Sequence, residues 1–360
     1  MSDPYVILGA ALPVAALGGS IAVLAWLFAK HIAGQPLLEY ERRTPVPWNA
    51  LAPLAILAPT VIAIALGLLS AAAPPPAEAP AETEAPLAVT TSSVPPDAGA
   101  DAGHVWFMAA AFMTLAVTCH LALAAVWRAT AVDLGWPASW GQLGRDARIG
   151  AAACLAMLAP VYAIQLLLLL FVEHPQEHPL LEELKSEPSP VMFLATAAAA
   201  VIAAPLFEET AFRLVFQGWM ERVAALARRR RTVSAAAEPI NPPPLPWPTA
   251  SSDVGQSPDA ADGAATMAAP GVGGAAPAES AAPLVFDDRP AWAPVVISGS
   301  IFALAHLGQG VAPVSLLPLG LALGYVYQRT HRLVPSLVCH ALFNGFSMLV
   351  AWLAIKSGAM

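Results

Sequence analysis

Apolar residues run along this chain in long blocks separated by polar connections. They do not alternate. Tyr5 to Ala29, Ala50 to Ala71, His104 to Trp127 and Ile149 to Val172 form the first four blocks. Each is long enough, at about 20 residues, for a helix to cross a hydrocarbon core. A fifth begins at Val191 and continues through a polar interruption to about Trp219. Ala291 to Leu307, Val311 to Tyr327 and Leu333 to Ile355 complete the series. The pattern predicts an all-α polytopic membrane protein of about eight transmembrane helices around a polar intramembrane cavity. Asp3 stands where a leader peptide would carry basic residues, and the first block is long, so it reads as a retained helix. Pro53 and Pro59 predict a kink in the second. Gly308-Gln309-Gly310 predicts a tight turn between the sixth and seventh.

The connections divide the chain. Residues 1–189 read as N-terminal transmembrane helices, with a 72–103 loop rich in Pro, Ala, Thr and Ser, free of Lys and Arg, and expected to be disordered. Residues 190–220 and 291–355 read as one transmembrane core. Residues 221–290 open with Arg228 to Arg231 and become an Ala/Pro/Gly/Ser tract from which no core can be built. They read as a disordered cytoplasmic insertion whose arginines could touch anionic lipid. His174 and His178 sit among prolines in a solvated loop. His120, inside the third block, reads as a packed residue. Composition agrees: 57% of residues are hydrophobic and 12% charged, with a mean hydropathy of +0.62. The net charge of -8 gives no reason to expect a nucleic-acid partner. Cys119, Cys154 and Cys339 all lie in apolar runs without metal-ligand spacing and read as packing residues.

Charge also orients the helices. With the N-terminus outside, the cytoplasmic side holds Lys30, Arg42, Arg43, Arg128, Arg145, Arg148, Arg222, Arg228 to Arg231, Arg289, Arg329 and Arg332, fourteen of the seventeen Lys and Arg. This is the bias expected of cytoplasmic loops.

Chemistry enters where the fifth block meets Pro205-Leu206-Phe207-Glu208-Glu209-Thr210-Ala211-Phe212-Arg213. Ionisable residues within a span mark function by default. Glu209 and Arg213 are i,i+4 and can pair, whereas Glu208 is turned about 100° away and is free to face something else. A buried ion-pair network in a transporter or structural bundle would use the same residues. Two further polar sets sharpen the choice: Phe302 to His306 in the sixth block, and His340 with Asn344, i,i+4, in the eighth. Two chemistries are open to them. Glu208, His306 and His340 could hold Zn2+ or another divalent metal with an open water position. Alternatively, Glu208 could act without metal as general base on water, with the histidines orienting it and Asn344 donating to an oxyanion.

Glu208-Glu209-x-x-x-Arg213, Phe302-x-x-x-His306 and His340-x-x-x-Asn344, in that order on separate spans, resemble the CPBP (Abi) family. This family holds type II CAAX prenyl endopeptidases and bacteriocin-processing or immunity proteins. Pro205, Leu307, Gly320, Gly324 and Leu333-Val334-Pro335-Ser336 fit the same pattern. The resemblance covers roughly Pro190 to Trp352. Thr210-Ala211 and Leu214 depart from it, as does the long insertion. The resemblance implies an intramembrane endopeptidase with a cavity open to the cytoplasm. Glu208 would activate water with His306, His340 and Asn344 would stabilise the oxyanion, and Glu209, Arg213 and Phe302 would support or share in the site. The implied partners are a bilayer and a peptide or membrane-protein substrate. The Ala/Pro/Arg-rich composition favours a bacterial cytoplasmic membrane. The competing readings are a non-proteolytic immunity or scaffold protein on the same fold, and a transporter, for which the sequence shows no repeat.

Depth makes a further demand. At about 1.5 Å per residue, Glu208 lies about 27 Å from Pro190, and His306 about 21 Å into an oppositely directed helix. They meet only if the fifth helix begins outside the hydrocarbon or the Gly308–Gly310 turn is sunk below the outer surface; both are expected, and sunk backbone is tolerated where it lines a water-filled cavity.

Overall fold

The computed structural model describes residues 4–58, 102–172, 179–236 and 290–359, with no strand among them. The helices are α1 (Pro4–Ile32), α2 (51–58), α3 (Ala102–Trp127), α4 (Trp140–Leu169), α5 (Pro179–Ser186), the long α6 (190–236), α7 (Trp292–Leu304), the single turn α8 (Ala312–Ser315), α9 (Leu317–Thr330) and α10 (Leu333–Lys356). Five helical stretches are long and apolar enough to span a membrane: α1, α3, α4, Pro190–Arg231 of α6, and α10. The all-α polytopic architecture is as the apolar blocks predicted. Beyond residue 58 the second block lies outside the described residues, as do most of the 72–103 loop, His174, His178 and residues 237–289.

Three boundaries differ from those the hydropathy pattern gave. The first is the start of α4, nine residues before Ile149. Ser139 accepts the Gln142 backbone N–H at 3.2 Å, and the Gln142 side chain accepts from the Ala138 N–H at 2.7 Å. This Ser-x-x-Gln cap pays no attention to hydropathy. The second is the end of α6, which continues as helix to Ala236 where a break was expected at Glu221. Ala and Arg are strong helix formers, so the helix outlasts the apolar run. The third concerns the sixth and seventh blocks. With 13 and 14 residues, α7 and α9 rise about 20 Å each, short of the roughly 30 Å hydrocarbon core. Together they form a hairpin of two short apolar helices. Its tip turns at Gly308 and Gly310, both at positive φ.

The core is built by close helix approaches. Gly150 lets α4 lie against α10: a Cβ there would stand 2.5 Å from Pro335 O. Gly299 and Gly320 do the same for α7 and α9, where a Cβ on Gly320 would stand 2.6 Å from Gly299 O. Such small-residue contacts drive helix association in lipid, where burial of apolar surface contributes little. α1 is joined to α4 at Pro160. Proline has no N–H, so Ala156 O lacks its helical donor. The buried Ser20 hydroxyl donates to Ala156 O at 3.4 Å and accepts from Ala159 N at 3.0 Å. All three cysteines are buried and free.

At the end carrying most of the basic residues, the 33–49 segment is laced across the bundle. Arg222 donates to the carbonyls of Val46 (2.9 Å), Pro47 and Trp48 (3.2 Å). Arg43 donates to the carbonyl of His331. Arg332 joins Asp146 on α4, at 2.8 Å to both carboxylate oxygens, with Glu41 of the segment. Burial opposes the Arg332 charge, but the two carboxylates prevail and raise its pKa. His331 carries the left-handed φ of 50° that turns α9 into α10.

Candidate intramembrane active site

The polar stretch lies in an unusual helix. α6 starts where Ser189 caps the Met192 N–H at 3.1 Å with Pro190 at the first turn. It widens to π-helix over Ala198–Ala203, returns to α-helix over Ala204–Glu208, and widens again over Glu209–Gln217. Glu208 and Glu209 thus straddle the start of the second widened segment. π-Helical turns are rare and recur at functional sites. Here side chains from three other elements reach carbonyls of the widened segments. Asn344 on α10 donates to Ala200 O at 2.8 Å. Ser298 on α7 donates to Phe212 O at 2.9 Å. The Trp48 indole N–H donates to Val215 O at 3.1 Å. Tertiary donors therefore hold the widened turns in place, satisfying backbone groups that hydrocarbon cannot.

Glu209 and Arg213 are both fully buried. Arg213 Nε stands 3.4 Å from Glu209 Oε2, the i,i+4 pair the spacing predicted. The guanidinium lies over the Phe302 ring, 4.7 Å from its centroid, and Nη1 reaches Ser298 Oγ at 3.3 Å. The other Glu209 oxygen bonds His340 Nδ1 at 3.0 Å. Because Glu209 is an acceptor committed to Arg213, the bond places the imidazole proton on Nδ1. His340 Nε2 is then aimed at Glu208, whose Oε2 lies 3.7 Å away. Glu208 is the accessible carboxylate, with 23% of its side chain exposed against none for Glu209. One histidine thus stands between two carboxylates of different environment. An ionised Glu208 and a neutral Nε2 are both acceptors, so the contact is attractive only when a proton resides on one of them.

Phe302 is the hub of the remaining residues. His306 and His340 both meet its ring edge-on, with centroids at 5.1 and 5.3 Å, and Phe212 packs on it at 5.7 Å. His306 lies just past the end of α7 and is partly buried, with Nδ1 3.0 Å from Phe302 O. Glu208, Glu209, Arg213, Phe302, His306 and His340 therefore form one connected neighbourhood, with Asn344 one turn along α10 from His340. Among the described residues, no group of three or more His, Cys, Asp or Glu is disposed to hold a metal ion.

Sequence reasoning missed Ser298, fully buried beneath Arg213. Its signal was available: Ser298, Phe302 and His306 are spaced i, i+4, i+8 on one face of an apolar helix. Ser336, which the family pattern included, is fully buried one turn before His340 and donates to Leu333 O at 3.0 Å.

Comparison with known proteins bears on the second half of this site. Residues 281–346 match the family model described as type II CAAX prenyl endopeptidase Rce1-like. The matched stretch carries Phe302, His306, His340 and Asn344, and it supports the family resemblance that those motifs suggest. Glu208, Glu209 and Arg213 lie outside it. No curated protein matches the chain, and no solved structure does.

Proposed function

From a chain whose residues 281–346 resemble type II CAAX prenyl endopeptidases, we propose a membrane-embedded endopeptidase that hydrolyses a peptide bond in a peptide or membrane-associated substrate. The observation that carries this reading is the chain Arg213–Glu209–His340–Glu208, which ends on the one accessible carboxylate. Arg213 keeps Glu209 ionised, Glu209 fixes the His340 tautomer, and His340 is left to exchange a proton with Glu208. An ionised Glu208 takes a proton from water as the oxygen attacks the scissile carbonyl carbon. The same proton then passes to the leaving amine nitrogen as the C–N bond breaks. His306, across the Phe302 ring, orients the water. Developing negative charge on the carbonyl oxygen is met by Asn344, and by His340 when Nε2 carries the proton it exchanges with Glu208. One amide N–H of Asn344 is held by Ala200 O, and the other is available for the oxyanion. The basic-rich end of the bundle faces the cytoplasm, and substrate reaches Glu208 from that side. A scaffold or immunity protein on this fold would have no need of a carboxylate left accessible beside a tautomer-fixed histidine.

The test uses purified full-length protein in detergent, wild type beside Glu208→Gln, on a panel of quenched fluorescent peptides with metal content measured on the same samples. Loss of a general base should lower kcat by roughly 10²–10⁴ without altering thermal unfolding. Equal cleavage by both proteins would remove Glu208 from the mechanism. Metal retained in stoichiometric amount, and lost with His306→Ala, would replace the metal-free step by a metal-assisted one.

A further inference from the structure

Ser298 occupies a position that no motif assigns. Its side chain is fully buried, on α7 one turn before Phe302. Its hydroxyl has two partners: it accepts from Arg213 Nη1 at 3.3 Å and commits its one proton to Phe212 O at 2.9 Å. Phe212 O belongs to the widened segment Glu209–Gln217, and Arg213 is the residue after it. One hydroxyl therefore fixes both the backbone of the widened turn and the direction in which Arg213 leaves it. Serine suits this task because it is small, can accept and donate at once, and fits where Arg213 packs flat on Phe302.

We infer that Ser298 is a positioning residue for the proposed hydrolysis, acting through Arg213 and Glu209 on His340 and Glu208; the inference rests on the endopeptidase reading. Ser298 touches none of the reacting groups. It sets the angle of the guanidinium, the guanidinium sets the Glu209 carboxylate, and that carboxylate sets the imidazole. The sequence of contacts is continuous: 3.3 Å from Ser298 to Arg213, 3.4 Å from Arg213 to Glu209, 3.0 Å from Glu209 to His340, and 3.7 Å from His340 to Glu208. Without the hydroxyl, Arg213 Nη1 and Phe212 O both lose a partner in a site closed to water. The guanidinium then shifts away from Glu209. The Glu209 carboxylate turns with it, and the His340 ring loses the orientation that aims Nε2 at Glu208.

The experiment compares wild type, Ser298→Ala, Ser298→Cys and Glu208→Ala as full-length purified proteins, reading kcat, KM and the unfolding temperature. Ser298→Ala should lower kcat by roughly tenfold to a hundredfold, the scale of a small misplacement of catalytic groups, with KM unchanged. Ser298→Cys, similar in volume and a weaker hydrogen-bonding group, should fall between Ala and wild type in kcat. It decides the matter if the Ala variant does not fold. A folded Ser298 variant that keeps the wild-type kcat, whether or not its unfolding temperature drops, overturns the positioning role while Glu208→Ala remains inactive. If Glu208→Ala is as active as wild type, the endopeptidase mechanism itself fails, and the inference about Ser298 with it.

Discussion

Glu209 and His340 are hydrogen-bonded at 3.0 Å between α6 and α10, with no solvent exposure of the carboxylate and 3% of the histidine. This contact divides the two adjacent glutamates into different kinds of residue. Glu209 is held on both oxygens by groups that need its charge. Glu208, next in the chain, keeps a face open and meets His340 only at the far ring nitrogen.

The division predicts opposite behaviour for two isosteric substitutions. Glu209→Gln removes the counterion of a fully buried arginine. Breaking a buried pair from one side costs about 3–5 kcal/mol, so the unfolding temperature in detergent should fall sharply and cleavage should be lost with it. Glu208→Gln should leave that temperature within error of wild type and abolish cleavage alone. Thermal unfolding and peptide hydrolysis on the same preparations read both outcomes. Equal destabilisation by the two substitutions would contradict the placement of Glu208.

Arg332 predicts a graded series at the other end of the bundle. It binds Asp146, which is fully buried, and Glu41, whose side chain is 32% exposed. Arg332→Gln strands the Asp146 charge and should destabilise by about 3–5 kcal/mol. Glu41→Gln removes a partly exposed partner and should cost about 1 kcal/mol or less. The double variant Asp146→Asn with Arg332→Gln should recover part of the single-variant loss. Denaturation midpoints give the order directly.

Glycine substitutions test the helix approaches. Gly320→Ala would press a methyl to 2.6 Å from Gly299 O and 3.0 Å from the Phe302 ring. Overpacking of this kind costs about 1–3 kcal/mol. The displaced Phe302 should also lower activity. Gly144→Ala, on an open face of α4 with nothing within 4 Å, should instead stabilise by about 0.5–1 kcal/mol. Opposite signs for the two substitutions in one unfolding assay are the expected result.

Asn344 predicts a split between its two amide hydrogens. Asn344→Asp sets a carboxylate oxygen against Ala200 O, a repulsion in a site with little water, and should disturb both folding and cleavage. Asn344→Ala removes the donor without adding charge. It should destabilise by about 1–3 kcal/mol through the unpaired Ala200 carbonyl, and it should lower kcat more than KM if the second N–H serves the oxyanion. Steady-state kinetics beside thermal unfolding separate the two effects.

Much of this was legible in the sequence because hydrocarbon makes polar residues conspicuous. Glu208, Glu209, Arg213, His306, His340 and Asn344 stood out as exceptions within apolar blocks, and i,i+4 spacing was enough to foresee the Glu209–Arg213 contact. What stayed hidden depended on tertiary partners. The widened segments of α6 have ordinary Ala, Phe and Val composition. They are held by Asn344, Ser298 and Trp48, residues between 86 and 167 positions away in the chain. The start of α4 was misplaced because a cap of Ser139 and Gln142 is polar and carries no hydropathy signal. The end of α6 was misplaced for the converse reason: helix propensity persists through Arg228–Arg231 after apolarity stops. Which nitrogen of His340 faces which glutamate could not be read from spacing at all.

The short α7–α9 hairpin couples the site to the lipid around it. A 13-residue helix leaves about a third of a typical hydrocarbon core unfilled above the Gly308–Gly310 tip. The surrounding bilayer adapts to such a mismatch by thinning or by forcing neighbouring helices to tilt, at a fraction of a kcal/mol per Å. His306 sits two residues beyond the end of that helix, tied to it by its N–H on Ala303 O at 3.1 Å and by Nδ1 at 3.0 Å from Phe302 O. Acyl-chain length is therefore a mechanical input to the hairpin, and through it to the spacing between His306 and Glu208. Turnover in short-chain and long-chain bilayers of the same headgroup should differ although no residue of the protein has changed.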